Sequence, residues 1–204
     1  MSSSKSAPDA PKQPGRRYPK GVARREQILR TALEVFAHEG DRKASLREIA
    51  DRVGLTATGL THYFGSRDEL FLAIIDERDR EATEAAEGVT DSLQAVARTV
   101  AHNMDVPGLV RLYVAMTAAA ADPASPAGPY FARRYEGLHA ALKLGIEAMQ
   151  QQGRARADVG ADELARLVIA TIDGVQMQWL VNPAVDMVRV VDGLVTLITG
   201  PVAP

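Results

Sequence analysis

The chain has 204 residues, 46% of them hydrophobic, and carries a formal net charge of −2 from 24 Lys and Arg against 26 Asp and Glu. That length supports one small and one medium domain with sizeable cores. With no cysteine, disulfide staples, thiolate nucleophiles and zinc–cysteine sites are excluded, and a reducing, cytoplasmic setting is expected.

Residues 1–20, MSSSKSAPDAPKQPGRRYPK, are rich in Ser, Pro and Lys and hold no apolar run. They read as a disordered basic tail, not as a secretory signal or a membrane span. From Arg24 to Gly40 the spacing predicts a helix whose broad inward face is Ile28, Leu29, Ala32, Leu33, Val35 and Phe36, with Gly40 placed to stop it. Ser45 and Glu48 form an S-x-x-E pair, the reciprocal cap that satisfies the first N–H groups of a helix, so a second helix begins at Ser45. Leu46, Ile49, Ala50 and Val53 fall at i, i+3, i+4 and i+7 and turn one stripe inward before Gly54 ends the helix.

Thr56 is placed to cap a third helix, on which Leu60 and Phe64 share the inward face while Ala57, Thr58, Gly59, Thr61 and His62 point elsewhere. Tyr63, Phe64 and Gly65 close it. Ser66 and Glu69 repeat the capping signature, which opens a fourth helix and sets Arg67 on its first turn, an end that attracts phosphate. Two short capped helices across a glycine-bearing turn, backed by a longer helix, are the layout of a helix-turn-helix DNA reader. A merely packed helical hairpin is the plainer alternative, and the conjunction of two capped starts with a turn of this length favours the reader.

Charge is distributed to match. Residues 1–67 hold 13 Lys and Arg against 7 Asp and Glu, whereas the remainder holds 11 against 19. A cationic head gains affinity for duplex DNA by releasing condensed counterions, and the acidic remainder stays in solvent.

The run RREQILRTALEVFAHEG…SLREIADRVGLTATGLTHYFGSRDELFLAII closely resembles the N-terminal domain of TetR-family transcriptional regulators, over about a quarter of the chain. The shared features are the apolar pattern of the first helix, its glycine stop, the I-A-x-x-x-G-[LV] turn and the aromatic close with G-S-[RK]-x-x-L. Thr61 stands where the family usually has tyrosine, Tyr63 where members often have histidine, and Arg67 where lysine is usual. The resemblance implies that Tyr63 or a neighbour reaches a phosphate. Thr58, Thr61 and His62 are candidates for base edges or thymine methyls. The whole set expected at DNA is Ser45, Arg47, Thr56, Ala57, Thr58, Gly59, Thr61, His62, Tyr63 and Arg67. Lys12, Arg16, Arg17 and Lys20 leave the tail two roles: an arm along the backbone or minor groove, or a solubilising extension.

Beyond Leu70 the chain reads as helices throughout, giving an all-α fold: residues 1–20 as tail, 21–67 as the three-helix reader, and 68–204 as a larger effector-binding and dimerisation bundle. Leu70, Phe71, Ile74 and Ile75 begin a connecting helix whose later part, DERDREATEAAE, is charged and expected to be mostly exposed. Further helices are predicted over Asp91–Met104, Pro107–Ala121, Pro126–Gln152, Ala161–Leu180 and Ala184–Thr199. The last two are unusually apolar through Leu164, Leu167, Val168, Ile172 and Val175, and through Val185, Val188, Val191, Leu194, Val195 and Ile198. A two-fold homodimer would bury 161–180 and 184–199 against their copies and set two readers on one palindromic operator, as TetR-like proteins do.

Met104, Tyr113, Met116, Met149, Met177 and Trp179 either line an adaptable pocket for a largely apolar effector or fill the core. Asp173 interrupts the apolar run VIATIDGVQMQWLV, and a carboxylate there needs a partner. It either pairs with Arg133 or Arg134 or anchors an effector together with Gln176. The resemblance implies that an effector displaces the connecting helix and so alters the separation of the two readers. No paired catalytic carboxylates, nucleophile elbow or phosphate-cradling loop points to an enzyme. His38, His62, His102 and His139 lie far apart without an H-x-x-x-H pair, so neither metal nor cofactor is expected.

Overall fold

The computed structural model describes residues 18–38, 46–85 and 92–200, which hold helices and no strand. The expected tail through residue 17, the Gly40 stop, the Ser45 cap and Asp91 lie outside the described residues.

The first helix, α1, spans Tyr18–His38 and so begins upstream of the expected Arg24. Pro19 falls in its first turn, where a missing N–H costs nothing. Helix α2 (Leu46–Arg52) is short, because Gly54 adopts φ +66° and reverses the chain. The Leu55 N–H reaches the Ala50 carbonyl at 2.8 Å and the Gly54 N–H reaches Asp51 at 3.2 Å, the paired closure of a left-handed C-terminal cap. Arg24 of α1 donates to the Val53 carbonyl at the same end. Helix α3 (Ala57–Phe64) follows, and Thr56 caps it by accepting the Gly59 N–H at 3.0 Å. Ser66 then caps α4 (Arg67–Ala85) by accepting the Glu69 N–H at 3.1 Å.

The apolar faces of these four helices do not close on themselves. Ile28, Leu29, Ala32 and Phe36 of α1, Ile49 and Ala50 of α2, Leu60 and Phe64 of α3, and Leu70 to Ile75 of α4 form one core with residues from further along the chain. The additions are Leu109, Leu112, Tyr113 and Met116 of α6 (Pro107–Ala119), and Ala127 and Phe131 of α7 (Ala127–Gln151). Phe36 meets Phe71 edge to face at 6.0 Å, at the seam between reader and bundle. Alongside, Gly108 in the first turn of α6 lies so close to α1 that an added Cβ would enter the Phe36 carbonyl.

The remaining helices are α5 (Ser92–Met104), α8 (Ala161–Val181) and α9 (Met187–Thr199). One further cluster joins Leu93, Leu142, Ile146, Leu164, Val168 and Ile198, and another joins Val100, Val110, Val175, Trp179, Met187 and Val191. Helices α5 to α8 end within two residues of expectation. Helix α9 starts at Met187, not Ala184. Asn182 holds the intervening turn by accepting the Ala184 N–H at 3.1 Å, and Asp186 supplies the cap by accepting the Arg189 N–H at 3.0 Å.

Candidate functional site

The α3 surface follows from its caps. With Leu60 and Phe64 buried, the helix exposes Ala57, Thr58, His62 and Tyr63 together with the Thr56 cap, and Gly59 and Thr61 in part. Arg47 on α2 and Arg67 on α4 are exposed. Two hydroxyls of this face already have internal bonds: Thr56 accepts from Gly59, and Thr61 donates to the Thr58 carbonyl at 2.9 Å. Thr56 therefore keeps its proton, and Thr61 its lone pairs and methyl, for an outside partner. Arg67 lies over the Phe71 ring at 4.8 Å. The Ser66 hydroxyl and two acidic residues, Asp68 and Glu69, already serve the first turn of α4.

The second feature is a cavity of about 380 Å³ between α4, α5, α6, α7 and α8. Of the residues expected in a pocket, Tyr113, Asp173 and Gln176 line it. The others lie elsewhere. Met149 is buried among Leu142, Ile146 and Leu164; Met116 belongs to the core shared with the reader; Trp179 packs beside Val100 and Met187, with Met104 against the same cluster. Met177 is 56% exposed.

Asp173 has a partner set different from the expected arginine pair. The Tyr113 hydroxyl donates to its Oδ1 at 3.0 Å and the Tyr135 hydroxyl to its Oδ2 at 2.6 Å. Arg134 reaches it only through Tyr113, whose hydroxyl accepts from Nη1 at 3.3 Å, and Arg133 is exposed. A hydroxyl interposed between cation and carboxylate satisfies both without a direct contact ion pair. Burial, reinforced by the Asp173 charge and opposed by that of Arg134, pushes the Tyr113 hydroxyl well above its ordinary range, so it stays a donor.

The charged run of α4 also departs from expectation. Arg78 is only 8% exposed and Asp79 is half-buried. Arg78 stands four residues after Ile74 and three after Ile75, which continues their inward stripe; that spacing was the available signal. Asp79 accepts from Arg134 Nε at 2.6 Å and from Arg78 Nη2 at 3.0 Å. Burial works to raise its carboxyl, but the bonds and charges of Arg134 and Arg78 outweigh it and hold the group below the usual carboxylate range. Both guanidinium groups lie over the Tyr113 ring, at 5.0 Å for Arg134 and 5.4 Å for Arg78. Three buried atoms here have no hydrogen-bond partner: Arg78 Nη1, Gln176 Oε1 and Ser92 Oγ, all on residues of the cavity wall. Apolar side chains such as Val96, Leu138, Leu142 and Ile172 complete the wall.

Among the described residues no group of three or more His, Cys, Asp or Glu could hold a metal ion, and no helix is long and apolar enough to cross a membrane.

The family described as bacterial regulatory proteins, tetR family, matches residues 28–74. Over 157 residues the chain is 32% identical to an HTH-type transcriptional repressor of Mycobacterium tuberculosis, covering 75% of this chain and 80% of that one. Solved structures with the same fold include a TetR transcription regulator from Haloarcula marismortui (TM-score 0.69, 19% identity, 86% of this chain and 95% of that one). A transcriptional regulator from Saccharomonospora viridis in complex with choline is a second (TM-score 0.63, 22% identity, 85% and 94%). Identity sustained over three quarters of the chain goes beyond a shared architecture: the chain belongs to the TetR family of bacterial transcriptional regulators.

Proposed function

We propose that the chain is a homodimeric repressor that holds a palindromic operator through α3 and is released when a small molecule fills the cavity. The observation that carries this reading is the span of α4: Arg67 lies in its first turn beside α3, and Arg78 and Asp79 on the same helix wall the cavity. Eleven residues of helix are a stiff strut of about 16 Å, so a tilt imposed at the cavity arrives at the reader. The DNA face assigned to it is Arg47, Thr56, Ala57, Thr58, Gly59, Thr61, His62, Tyr63 and Arg67; Ser45, the other residue expected at DNA, lies outside the described residues. Repression follows the Mycobacterium tuberculosis relative, which is named a repressor. The choline held by the Saccharomonospora viridis protein supports a small-molecule site in this fold.

Pairing rests on exposed apolar side chains along the last two helices. Leu167 is 50% exposed, Val181 88%, Val190 43% and Leu197 66%, a stripe that a two-fold copy of α8 and α9 would cover. Operator fragments selected from a random duplex pool should contain inverted half-sites. Leu167→Glu with Leu197→Glu, both at exposed positions and so within about 0.5 kcal/mol of neutral for the fold, should yield a monomer in sedimentation and lose the operator. A dimer that survives both changes refutes this interface, and selection that returns no two-fold sequence refutes the operator geometry.

A further inference from the structure

We propose that the ligand of the cavity is an amphiphilic organic acid, a carboxylate held by Arg78 on an apolar body, with a hydrogen-bond donor near the head for Gln176; this rests on the effector reading above. The cationic pole of the cavity is short of partners. Two guanidinium groups, Arg78 and Arg134, share the single carboxylate of Asp79, which leaves one positive charge unmatched within that trio. The other carboxylate in the wall, Asp173, turns both oxygens to tyrosine hydroxyls and keeps its charge, and Arg134 meets it only through Tyr113. Arg78 is only 8% exposed, and its Nη1 has no acceptor.

A buried guanidinium N–H without a partner bears the full cost of lost hydration, and the group that relieves it best is an anionic oxygen, through a charge-assisted bond. Gln176 fixes the second element of the ligand. Its Nε2 gives one N–H to the Ile172 carbonyl at 3.2 Å, while Oε1, on a residue 3% exposed, has no donor. A hydroxyl or amide N–H near the head would supply one. Apart from the neutral polar Thr83, Ser92, Thr99 and Asn103, the rest of the wall is apolar, which suits a hydrocarbon or aryl body and brings no further charge. A purely apolar effector would leave all three orphaned atoms as they are.

The test uses the full-length protein with three carboxylates that carry a hydroxyl beside the head, 2-hydroxyhexanoate, 2-hydroxyoctanoate and 2-hydroxy-3-phenylpropanoate, each beside its primary amide and the amine of equal length. Calorimetry reads binding, and fluorescence anisotropy reads release of the selected operator. Carboxylates should bind at least tenfold more tightly than their amides, and the amines should not bind. Arg78→Met should weaken carboxylates by roughly ten- to a hundredfold and erase their advantage. Gln176→Glu, which sets a second anion against the head, should abolish carboxylate binding even where Arg78→Met does not fold.

Amides or amines that bind as well as the acids, carboxylates indifferent to a folded Arg78→Met, or no binding by any carboxylate would overturn the proposal. The two levels separate cleanly. Acids that bind through Arg78 but leave the operator complex intact uphold the anion site and refute the effector role. An amide or amine that binds and releases operator upholds the effector role and refutes the anion site.

Discussion

At the contact between α6 and α1 the two backbones come close, and Gly108→Ala probes it directly. A Cβ at position 108 would stand 3.1 Å from the Phe36 carbonyl carbon and 3.5 Å from its Cα, and would lie inside the carbonyl oxygen itself. Ordinary C···O contact is about 3.3 Å, so α6 and α1 must part by roughly 1 Å. The obstacle is main chain, in the last turn of α1, and cannot swing aside as a side chain would. Overpacking of this kind costs about 1–3 kcal/mol. Alanine recovers up to about 1 kcal/mol of helix propensity, less in a first turn. The net effect is a loss of about 1–2 kcal/mol, a fall in Tm of roughly 2–8 °C for a chain of this size. Scanning calorimetry reads it, with Gly137→Ala as the control: nothing lies within 4 Å of a Cβ there, so the same exchange in α7 should stabilise by about 0.5–1 kcal/mol. If Gly108→Ala melts at or above the parent, the reasoning from this contact is wrong.

Thr56→Ala removes the oxygen that accepts the Gly59 N–H at the start of α3 and should cost about 1 kcal/mol; Thr56→Ser should restore both stability and operator affinity, which thermal melts and anisotropy will check. Asp79 is held below its ordinary range, so its stabilising contribution is complete above the unfolded-state value of about 3.9 and is lost as pH falls through the lower, folded-state value. Asp79→Asn should therefore flatten the acid limb of a stability–pH curve measured from pH 6 down to pH 2. An unchanged acid limb would mean that the Arg78–Asp79–Arg134 trio contributes nothing measurable.

The reader was legible from local signals alone. Ser66–Glu69, Thr56 and the Gly54 turn are short-range devices that act within four or five residues, and each closes in the structure as its spacing predicts. The cavity was not, because its polar wall is assembled from residues as far apart as Arg78, Tyr113, Arg134 and Asp173, and no local pattern encodes which of them meet. Of the methionines expected to line it, Met104, Met116 and Met149 were absorbed by cores that the chain makes elsewhere, and Met177 is exposed. The start of α9 was misplaced for a nearer reason. Alanine and valine at 184 and 185 fit a helix, and only the side-chain bonds of Asn182 and Asp186 decide that they form a turn.

The reader's apolar interior runs without a break through Leu109, Leu112 and Met116 into the bundle. Splicing a foreign reader onto this chain at residue 67 would thus graft one half of a mated surface onto a stranger. A working hybrid should need the inward faces of α4 and α6 transplanted along with the first three helices, and operator preference in this architecture would be easier to retune by point changes on α3 than by exchange of parts.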